Sequence, residues 1–186
     1  MRFALHAVAA AFSLASAFAF AQTPEVTVTR FDCGTPRSNN VNERFSDTFA
    51  FPGLKVDFVF SCYLIKHGNE YMMWDTGYGP KAEQAPKQTV VEQLAKVNVK
   101  PEQIKYVGIS HYHGDHTGQV ASFPQAMLFI GKGDWDALSS PKPAANLNAD
   151  RFAHWLTGGG KVEPQSADKD VFGDGSVVMQ IGRAHV

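Results

Sequence analysis

The chain has 186 residues, of which 44% are hydrophobic and 19% are charged. This balance is typical of an ordinary globular protein, with enough apolar residues for one core. Its 17 basic and 18 acidic residues leave a net charge of −1, without a basic run or an acidic tail. The composition therefore argues against a nucleic-acid-binding protein and against a disordered acidic one.

The first 21 residues form a segment that we set aside from the fold. Arg2 gives a short positive start, and residues 3–20 are nearly all Ala, Phe, Leu and Val. The run is long enough for a transmembrane anchor. Its alanine-rich character and the Ala19-Phe20-Ala21 cleavage pattern favour a removed signal peptide instead. We therefore expect an exported protein, periplasmic or secreted, without a stable membrane anchor.

An exported protein reaches an oxidising compartment, where its two cysteines, Cys33 and Cys62, can form a disulfide. They either form a disulfide or pack as two small apolar residues on neighbouring strands. Cys62 lies inside an apolar run, which favours the free form. Neither lies in a Cys-x-x-Cys pattern, so we assign no catalytic role to them.

The hydrophobic pattern alternates between strand and helix along the chain. Residues 26–31 alternate Val and Thr and predict the first strand. Residues 56–66 are apolar on both faces, which indicates a central strand covered on both sides, and a turn leads to a strand at 70–74. Further strands are predicted at 104–109, 126–130, 162–165, 171–172 and 176–181, and helices at 88–97, 118–123, 134–138 and 149–156. This alternation predicts an α/β fold with a mixed sheet.

Residues 37–54, between the first two predicted strands, are expected to form a polar loop. A long irregular loop inside a compact domain is more often functional than not. Its phenylalanines Phe45, Phe49 and Phe51 either line an apolar substrate pocket or pack the loop against the core. The second outcome is the commoner one.

The strongest functional signal is the stretch His111 to His116, directly after a predicted strand. On an extended segment the imidazoles of His111 and His113 point to the same side, so both reach one metal ion. Asp115 and His116 follow Gly114, where the backbone can turn, and are expected to face a second ion. Imidazole and carboxylate without thiolate suit zinc, iron or manganese in a catalytic site. The alternative, a histidine-rich surface loop, would give these side chains no packing purpose.

The pattern His111-x-His113-x-Asp115-His116 resembles the signature of the metallo-β-lactamase superfamily. The upstream Trp74-Asp75-Thr76-Gly77 resembles that superfamily's Asp-Thr-Gly turn. The resemblance covers residues 26–180 and implies a four-layered αβ/βα sandwich with metals at the sheet edge, of which this chain would hold the N-terminal part. It also implies that Asp75 supports the metal loop without binding metal. From the residues alone, Asp75 is a turn aspartate that bonds to its own backbone.

Members of that family supply further metal ligands downstream of the first motif. After His116 this chain has only His154, expected to be a packing or surface histidine, and His185, whose neighbours do not match the family's Gly-His turn. Residues 181–186 are what a common sequencing adapter encodes in one reading frame. We therefore expect a partial domain at 22–180, a non-native tail, and remaining metal ligands beyond the end of this chain. Such a fragment would leave one sheet face uncovered and is expected to be poorly stable and inactive.

The resemblance implies a hydrolase with two divalent metal ions, expected to be zinc. His111 and His113 would hold the first ion and His116 the second. The ions would lower the pKa of a shared hydroxide, which attacks a carbonyl carbon of a small-molecule substrate. Asp115 would bind one metal and orient the nucleophile or take its proton.

Within the superfamily, the motifs look most like those of the N-acyl homoserine lactonase branch, which implies that the substrate is an acylated lactone. The alternatives are an exported metallo-β-lactamase, a thioesterase of the glyoxalase II kind, and a metal-binding protein without catalysis. The sequence does not indicate the oligomeric state.

Overall fold

The structure is a computed structural model that describes residues 24–143 and 147–182. The predicted signal peptide, His185 and most of the predicted tail lie outside the described residues. Within these two ranges, none of the helices has the length and apolar character needed to span a bilayer.

The described part of the chain alternates strands with short helices. Its strands are β1 Val26–Asn40, β2 Lys55–His67, β3 Glu70–Trp74, β4 Ile104–Ile109, β5 Met127–Gly131, β6 Val162–Gln165, β7 Lys169–Asp170 and β8 Val178–Met179. Its α-helices are α1 Val41–Arg44, α2 Val90–Lys96, α3 Gly114–Thr117, α4 Lys132–Leu138 and α5 Ala153–Leu156. Single 3₁₀ turns lie at Pro101–Gln103, Val120–Ser122 and Ala149–Phe152.

Six strands form one mixed sheet in sequence order, β1-β2-β3-β4-β5-β6. The pairs β1/β2 and β2/β3 are antiparallel, whereas β3, β4, β5 and β6 run parallel. The carboxyl ends of parallel strands share one sheet edge, so the segments that follow β3 and β4 meet there. This architecture confirms the predicted α/β fold with a mixed sheet.

The main core lies on the sheet face that the helices cover. Val107 and Ile109 of β4 point to this face and pack in one cluster with Leu94 of α2 and with Phe123 and Phe152, all 0% exposed. Because side chains alternate along a strand, Met72 and Phe129 point to the opposite face, where they form a smaller cluster with Val171 and Met179.

Strand β1 is longer than predicted. It continues to Asn40 through irregularities after Asp32 and Gly34, and its last pair is Asn40 with Lys55. The expectation of a loop over 37–54 was therefore wrong at its start, where long-range pairing with β2 overrides a polar local sequence.

The prediction of β2 as a central strand covered on both faces was also wrong. Only Tyr63–His67 pair with β3. The preceding half pairs with β1 alone and forms a two-stranded ribbon, on which Val59 is 64% exposed.

The phenylalanines in the segment that joins the two strands of this ribbon do not pack against the core. Phe45, Phe49 and Phe51 are 56%, 66% and 49% exposed, which contradicts the commoner outcome expected for them. Phe45 and Phe49 line an open surface cavity of ≈ 570 Å³. Their part in a substrate pocket stays a prediction.

The C-terminal elements are shorter than predicted. The helix expected at 118–123 is a 3₁₀ turn, and the strand expected at 176–181 reduces to β8. The strand expected at 171–172 was wrong, because its place is taken by β7 two residues earlier, paired with β8. The carboxylate of Asp170 accepts hydrogen bonds from the N–H groups of Gly173 and Gly175. These bonds hold residues 171–177 as a loop in place of a longer hairpin.

Cys33 and Cys62 form a disulfide, which corrects the expectation of free cysteines. Both are 0% exposed, and their Cα atoms lie 5.7 Å apart. The β1/β2 register places Phe31 opposite Cys62, and Cys33, two residues on, lies on the same buried face. Only this long-range pairing brings the two sulfurs together.

We expect the Cys33→Ala/Cys62→Ala variant to be less stable by about 3–4 kcal/mol, the value that the chain-entropy model gives for a crosslink across 29 residues. Urea denaturation of the full-length protein, oxidised, reduced and substituted, measures the difference. Equal midpoints for all three forms would contradict the expected role of the disulfide.

Candidate metal centre

The metal loop, residues 110–117, lies at the carboxyl end of β4. This strand ends at Ile109, Ser110 follows, and one turn of helix, α3, begins at Gly114. The Asp75-Thr76-Gly77 turn lies at the carboxyl end of β3, which is parallel to β4 and adjacent to it. The two motifs, 35 residues apart at Asp75 and Ser110, therefore meet at one sheet edge.

Three of the four predicted metal ligands lie together. One ligand atom each from His111, His113 and Asp115 lie within 4.8 Å of one another, and His111 Nε2 is 3.1 Å from His113 Nδ1. His113 is exposed and the other two are half-buried, so an ion can enter from solvent. Two imidazoles and one carboxylate are a donor set that suits a divalent metal ion with open coordination positions. The residues present fit such an ion.

His116, the fourth predicted ligand, lies beside this group but is not part of it. Its Nε2 is 3.4 Å from the nearer oxygen of Asp115, and its ring centroid is 4.0 Å from that of His111. Its Nδ1 lies 2.7 Å from Asp75 Oδ2 and donates to that oxygen. Nε2 is therefore the ring nitrogen left for a metal ion.

Asp75 holds the base of the metal loop. It is 4% exposed, and its carboxylate accepts three hydrogen bonds, from Ser110 N (2.8 Å), Ser110 Oγ (2.9 Å) and His116 Nδ1. The residue has φ +59°, a backbone conformation that costs energy for a side-chain-bearing residue and recurs at functional sites. The supporting role that the resemblance implied for Asp75 stays a prediction, and these hydrogen bonds to Ser110 and His116 are the contacts through which it would act.

The two turns are also joined through their backbones. Thr76 donates to the carbonyl of His116 from both its N–H (2.7 Å) and its hydroxyl (3.0 Å), and Gly118 N–H donates to Gly77 O at 2.6 Å. A Cβ at Gly118 would overlap Gly79 N. Glycine at 118 is therefore required by this close approach.

Two residues near the loop were not found by sequence reasoning. Ser110 directly precedes the motif, and its hydroxyl group is the feature of the sequence that marks it as a possible hydrogen-bonding residue. Arg151 lies outside both motifs, 34 residues from its hydrogen-bond partner Thr117, and no local pattern marks it. His154, as expected, is exposed and packs on the ring of Trp155 with the centroids 5.5 Å apart.

The charges of the cluster depend on one another. Burial opposes protonation of His116, but hydrogen bonds to Asp115 and Asp75 outweigh it and raise its pKa from 6.5 to about 9. The same bond to His116, against the effect of burial, lowers the pKa of Asp115. Burial, with the charges of His116 and His113, lowers the pKa of His111. At neutral pH the metal-free site thus holds an ionised Asp115 and a protonated His116.

The affinity of the site for zinc is expected to rise between neutral pH and pH 9, because a metal ion must displace the proton that His116 holds below its pKa of about 9. Competition with a chromogenic chelator at several pH values measures the affinity, and an indicator dye measures the released proton. His116→Gln, which has no such proton, should lose this pH dependence. A flat affinity profile for the unsubstituted protein would contradict the expectation.

Comparisons with known proteins place these motifs in a family. A sequence model of the metallo-beta-lactamase superfamily matches residues 57–177, more than half of the chain. The N-acyl homoserine lactonase AttM of Agrobacterium fabrum is 27% identical over 114 residues, covering 53% of this chain and 38% of that protein. The cytochrome P450 monooxygenase mpaDE′ of Penicillium brevicompactum is 26% identical over 168 residues, covering 72% of this chain but 20% of that protein. The chain thus spans well under two thirds of the length of either relative.

Solved structures share the fold. A quorum-quenching N-acyl homoserine lactone lactonase superposes with a TM-score of 0.56 at 19% identity, covering 81% of this chain and 60% of that one. AidC, a dizinc quorum-quenching lactonase, gives 0.56 at 19%, with coverages of 81% and 62%. A probable metal-dependent hydrolase from Staphylococcus aureus gives 0.57 at 14%, again over 81% and 62%.

The region matched by the family model contains both motifs, the turn at Asp75 and the cluster from His111 to His116. The structural likeness covers 81% of this chain. The chain belongs to the metallo-beta-lactamase superfamily, as the resemblance of its motifs predicted.

Proposed function

We propose that the full-length protein is a metal-dependent hydrolase that opens the ring of N-acyl homoserine lactones. The observation that carries the proposal is the group formed by His111, His113 and Asp115 at the carboxyl edge of the parallel strands. The printed names of the relatives support the substrate class. AttM is an N-acyl homoserine lactonase, and AidC was solved with the product N-hexanoyl-L-homoserine.

In this proposal each residue of the cluster has its own role in metal binding. His111 and His113 bind one ion, Asp115 binds an ion and faces the reacting water, and His116 offers Nε2 to a second ion. Asp75 fixes His116 through its Nδ1. When bound, divalent ions supply Lewis acidity, which makes water more acidic and a carbonyl carbon more electrophilic. We take both ions to be zinc, as in the dizinc lactonase of the same fold.

Ring opening requires that one proton be moved. The water oxygen bonds to the carbonyl carbon, the ring C–O bond breaks, and the water proton passes to the leaving oxygen. The pKa of Asp115 is lowered mainly by its hydrogen bond to His116, so its carboxylate is ionised at neutral pH. It can therefore accept the water's hydrogen bond at an Oδ atom and pass the proton on.

A two-metal site of this kind needs more ligands than these four. Among residues 24–143 and 147–182, no other histidine joins the cluster. We propose that the full-length protein supplies the rest from residues beyond this chain, as the resemblance implies. Export belongs to the same proposal, and the apolar N-terminal segment and the Cys33–Cys62 disulfide support it.

Parallel assays of the purified, zinc-loaded full-length protein test the substrate class. The substrates are an N-acyl homoserine lactone, a chromogenic β-lactam and a glutathione thioester, each also assayed with Asp115→Ala. We expect turnover of the lactone that is lost in the variant. Turnover of the β-lactam or the thioester alone would replace the lactonase by one of those activities. Zinc binding without hydrolysis of any of the three would favour a non-catalytic metal-binding protein.

A further inference from the structure

Gly114, between His113 and Asp115, has its side-chain space occupied by a residue from elsewhere in the fold. A Cβ at position 114 would lie 3.0 Å from Nη1, 3.4 Å from Nη2 and 3.6 Å from Cζ of Arg151. These are its nearest atoms outside the local chain, and both nitrogens are nearer than Cζ, so the guanidinium points its terminal nitrogens at the metal loop. The backbone of Gly114 is not among those with positive φ. The absence of a side chain there makes room for Arg151, with no turn conformation that needs glycine.

The guanidinium is also bonded to the loop. Arg151 Nη1 donates to Thr117 Oγ1 at 3.1 Å. Thr117 is 0% exposed, and its hydroxyl donates in turn to the carbonyl of His113 at 3.0 Å. The same carbonyl accepts the N–H groups of His116 (3.0 Å) and Thr117 (3.1 Å). Arg151 is therefore linked to the carbonyl that organises the turn between the predicted ligands.

The other end of Arg151 is fixed in the core. It lies in the 3₁₀ turn Ala149–Phe152, and the next residue, Phe152, is 0% exposed. Within residues 24–143 and 147–182 no carboxylate lies within 4.0 Å of its guanidinium, whereas Arg30, Lys132 and Lys169 each have such a partner. Formation of an ion pair thus does not explain its position. Its hydrogen bond to Thr117 and its close approach to Gly114 are both with the loop.

We propose that Arg151 is a positioning residue for the metal loop, which it holds in the ligand-binding conformation by filling the space over Gly114 and by bonding Thr117. The inference rests on metal binding by His111, His113 and Asp115, as in the proposed function. It goes further by assigning part of the metal affinity to a residue outside both sequence motifs.

The sign of the effect separates positioning from simple electrostatics. A cation near the site repels a divalent ion, so a charge that did nothing else would weaken binding, and its removal would strengthen binding. Positioning predicts the opposite result, because residues that orient ligands typically contribute 10–100-fold to metal affinity. For Arg151→Met in the full-length protein, we expect about a 10-fold loss of zinc affinity by chelator competition. The visible spectrum of the cobalt-substituted protein should change as well.

A double-mutant cycle tests the contact with Gly114 directly. Gly114→Ala should displace the guanidinium and lower zinc affinity to a similar extent. In the Arg151→Met background the added methyl group has room, so it should cost little further affinity. Such strong non-additivity is the signature of two groups that act through one contact. Additive losses, or an unchanged affinity in Arg151→Met, would overturn the proposal.

Controls separate this result from unfolding and from failure of the proposed function. Arg30→Met removes an exposed arginine, 55% accessible at its side chain and paired with Asp32, and should keep full affinity. A variant at 151 whose affinity falls only in step with its melting temperature would assign Arg151 a purely structural role and reject positioning. If the unsubstituted protein binds no zinc, the proposed function itself fails, whatever Arg151 does.

Discussion

Asp115→Ala is expected to lower the rate of hydrolysis by the full-length protein on the order of 10³-fold, the range for loss of a group that binds metal and moves a proton. Asp115 belongs to the three-residue group and also contacts His116, 3.4 Å away. Its removal takes a ligand from the ion and leaves His116 with Asp75 as its one remaining carboxylate partner. Steady-state kinetics on the lactone and measurement of bound zinc test both effects.

A matched control for Asp115 is available before β4, the strand that leads to the metal loop. Glu102 is an exposed carboxylate in the turn that precedes β4, at the opposite end from the metal loop. Glu102→Ala should keep normal zinc content and turnover. Near-normal hydrolysis by Asp115→Ala would refute the role assigned to that residue.

Asp75→Ala is expected to have the next largest effect, on stability and on metal affinity together. The substitution leaves Ser110 N–H without its acceptor and removes the partner of His116 Nδ1, and both hydrogen bonds are partly buried. An unsatisfied polar group costs about 1–3 kcal/mol when it is buried, and loss of a residue that orients a metal-binding histidine typically lowers affinity by about 10–100-fold. Urea denaturation of the metal-free protein and zinc competition measure the two quantities.

Asp75→Asn gives the graded comparison. It keeps one acceptor oxygen and the volume of the side chain, so it should lie between Ala and the unsubstituted protein in both measurements. If Asp75→Ala binds zinc normally while its stability falls, the residue serves only as the turn aspartate that the local sequence also suggested. The supporting role for the metal loop would then be rejected.

The sequence predicted best those elements that are determined by local pattern. The strands at 70–74, 104–109 and 162–165 have the predicted bounds. For the first two the reason is a short, largely apolar run between turn residues, which leaves little freedom in register. The family and the fold were confirmed for a related reason. The motifs at Asp75 and His111 to His116 are compact in sequence, and each follows its own strand.

What the sequence did not reveal depends on distant partners. The extension of β1 to Asn40 comes from its pairing with β2, and the disulfide follows from that same register. The exposure of Val59 reflects which strand lies beside it, and no residue pattern in 56–66 carries that information. Arg151 meets Gly114 only because the helical segment after residue 148 packs next to the loop.

Residue spacing predicted only part of the geometry of the candidate site. Spacing alone predicted that His111 and His113 share one side, and the 3.1 Å between their nitrogens agrees with that prediction. Assignment of Asp115 and His116 to a second ion stays a prediction. In the structure Asp115 lies with the first two histidines, and His116 is oriented by Asp75.

The most direct measurement is zinc affinity and content of the purified full-length protein, compared with His111→Ala/His113→Ala and with His154→Ala. His154 is an exposed histidine outside the cluster and serves as the matched control. The metal centre described above predicts that the unsubstituted protein and His154→Ala bind zinc equally well and that the double variant loses it. Equal zinc binding by all three proteins, or none by the unsubstituted one, would contradict a metal site at His111 and His113.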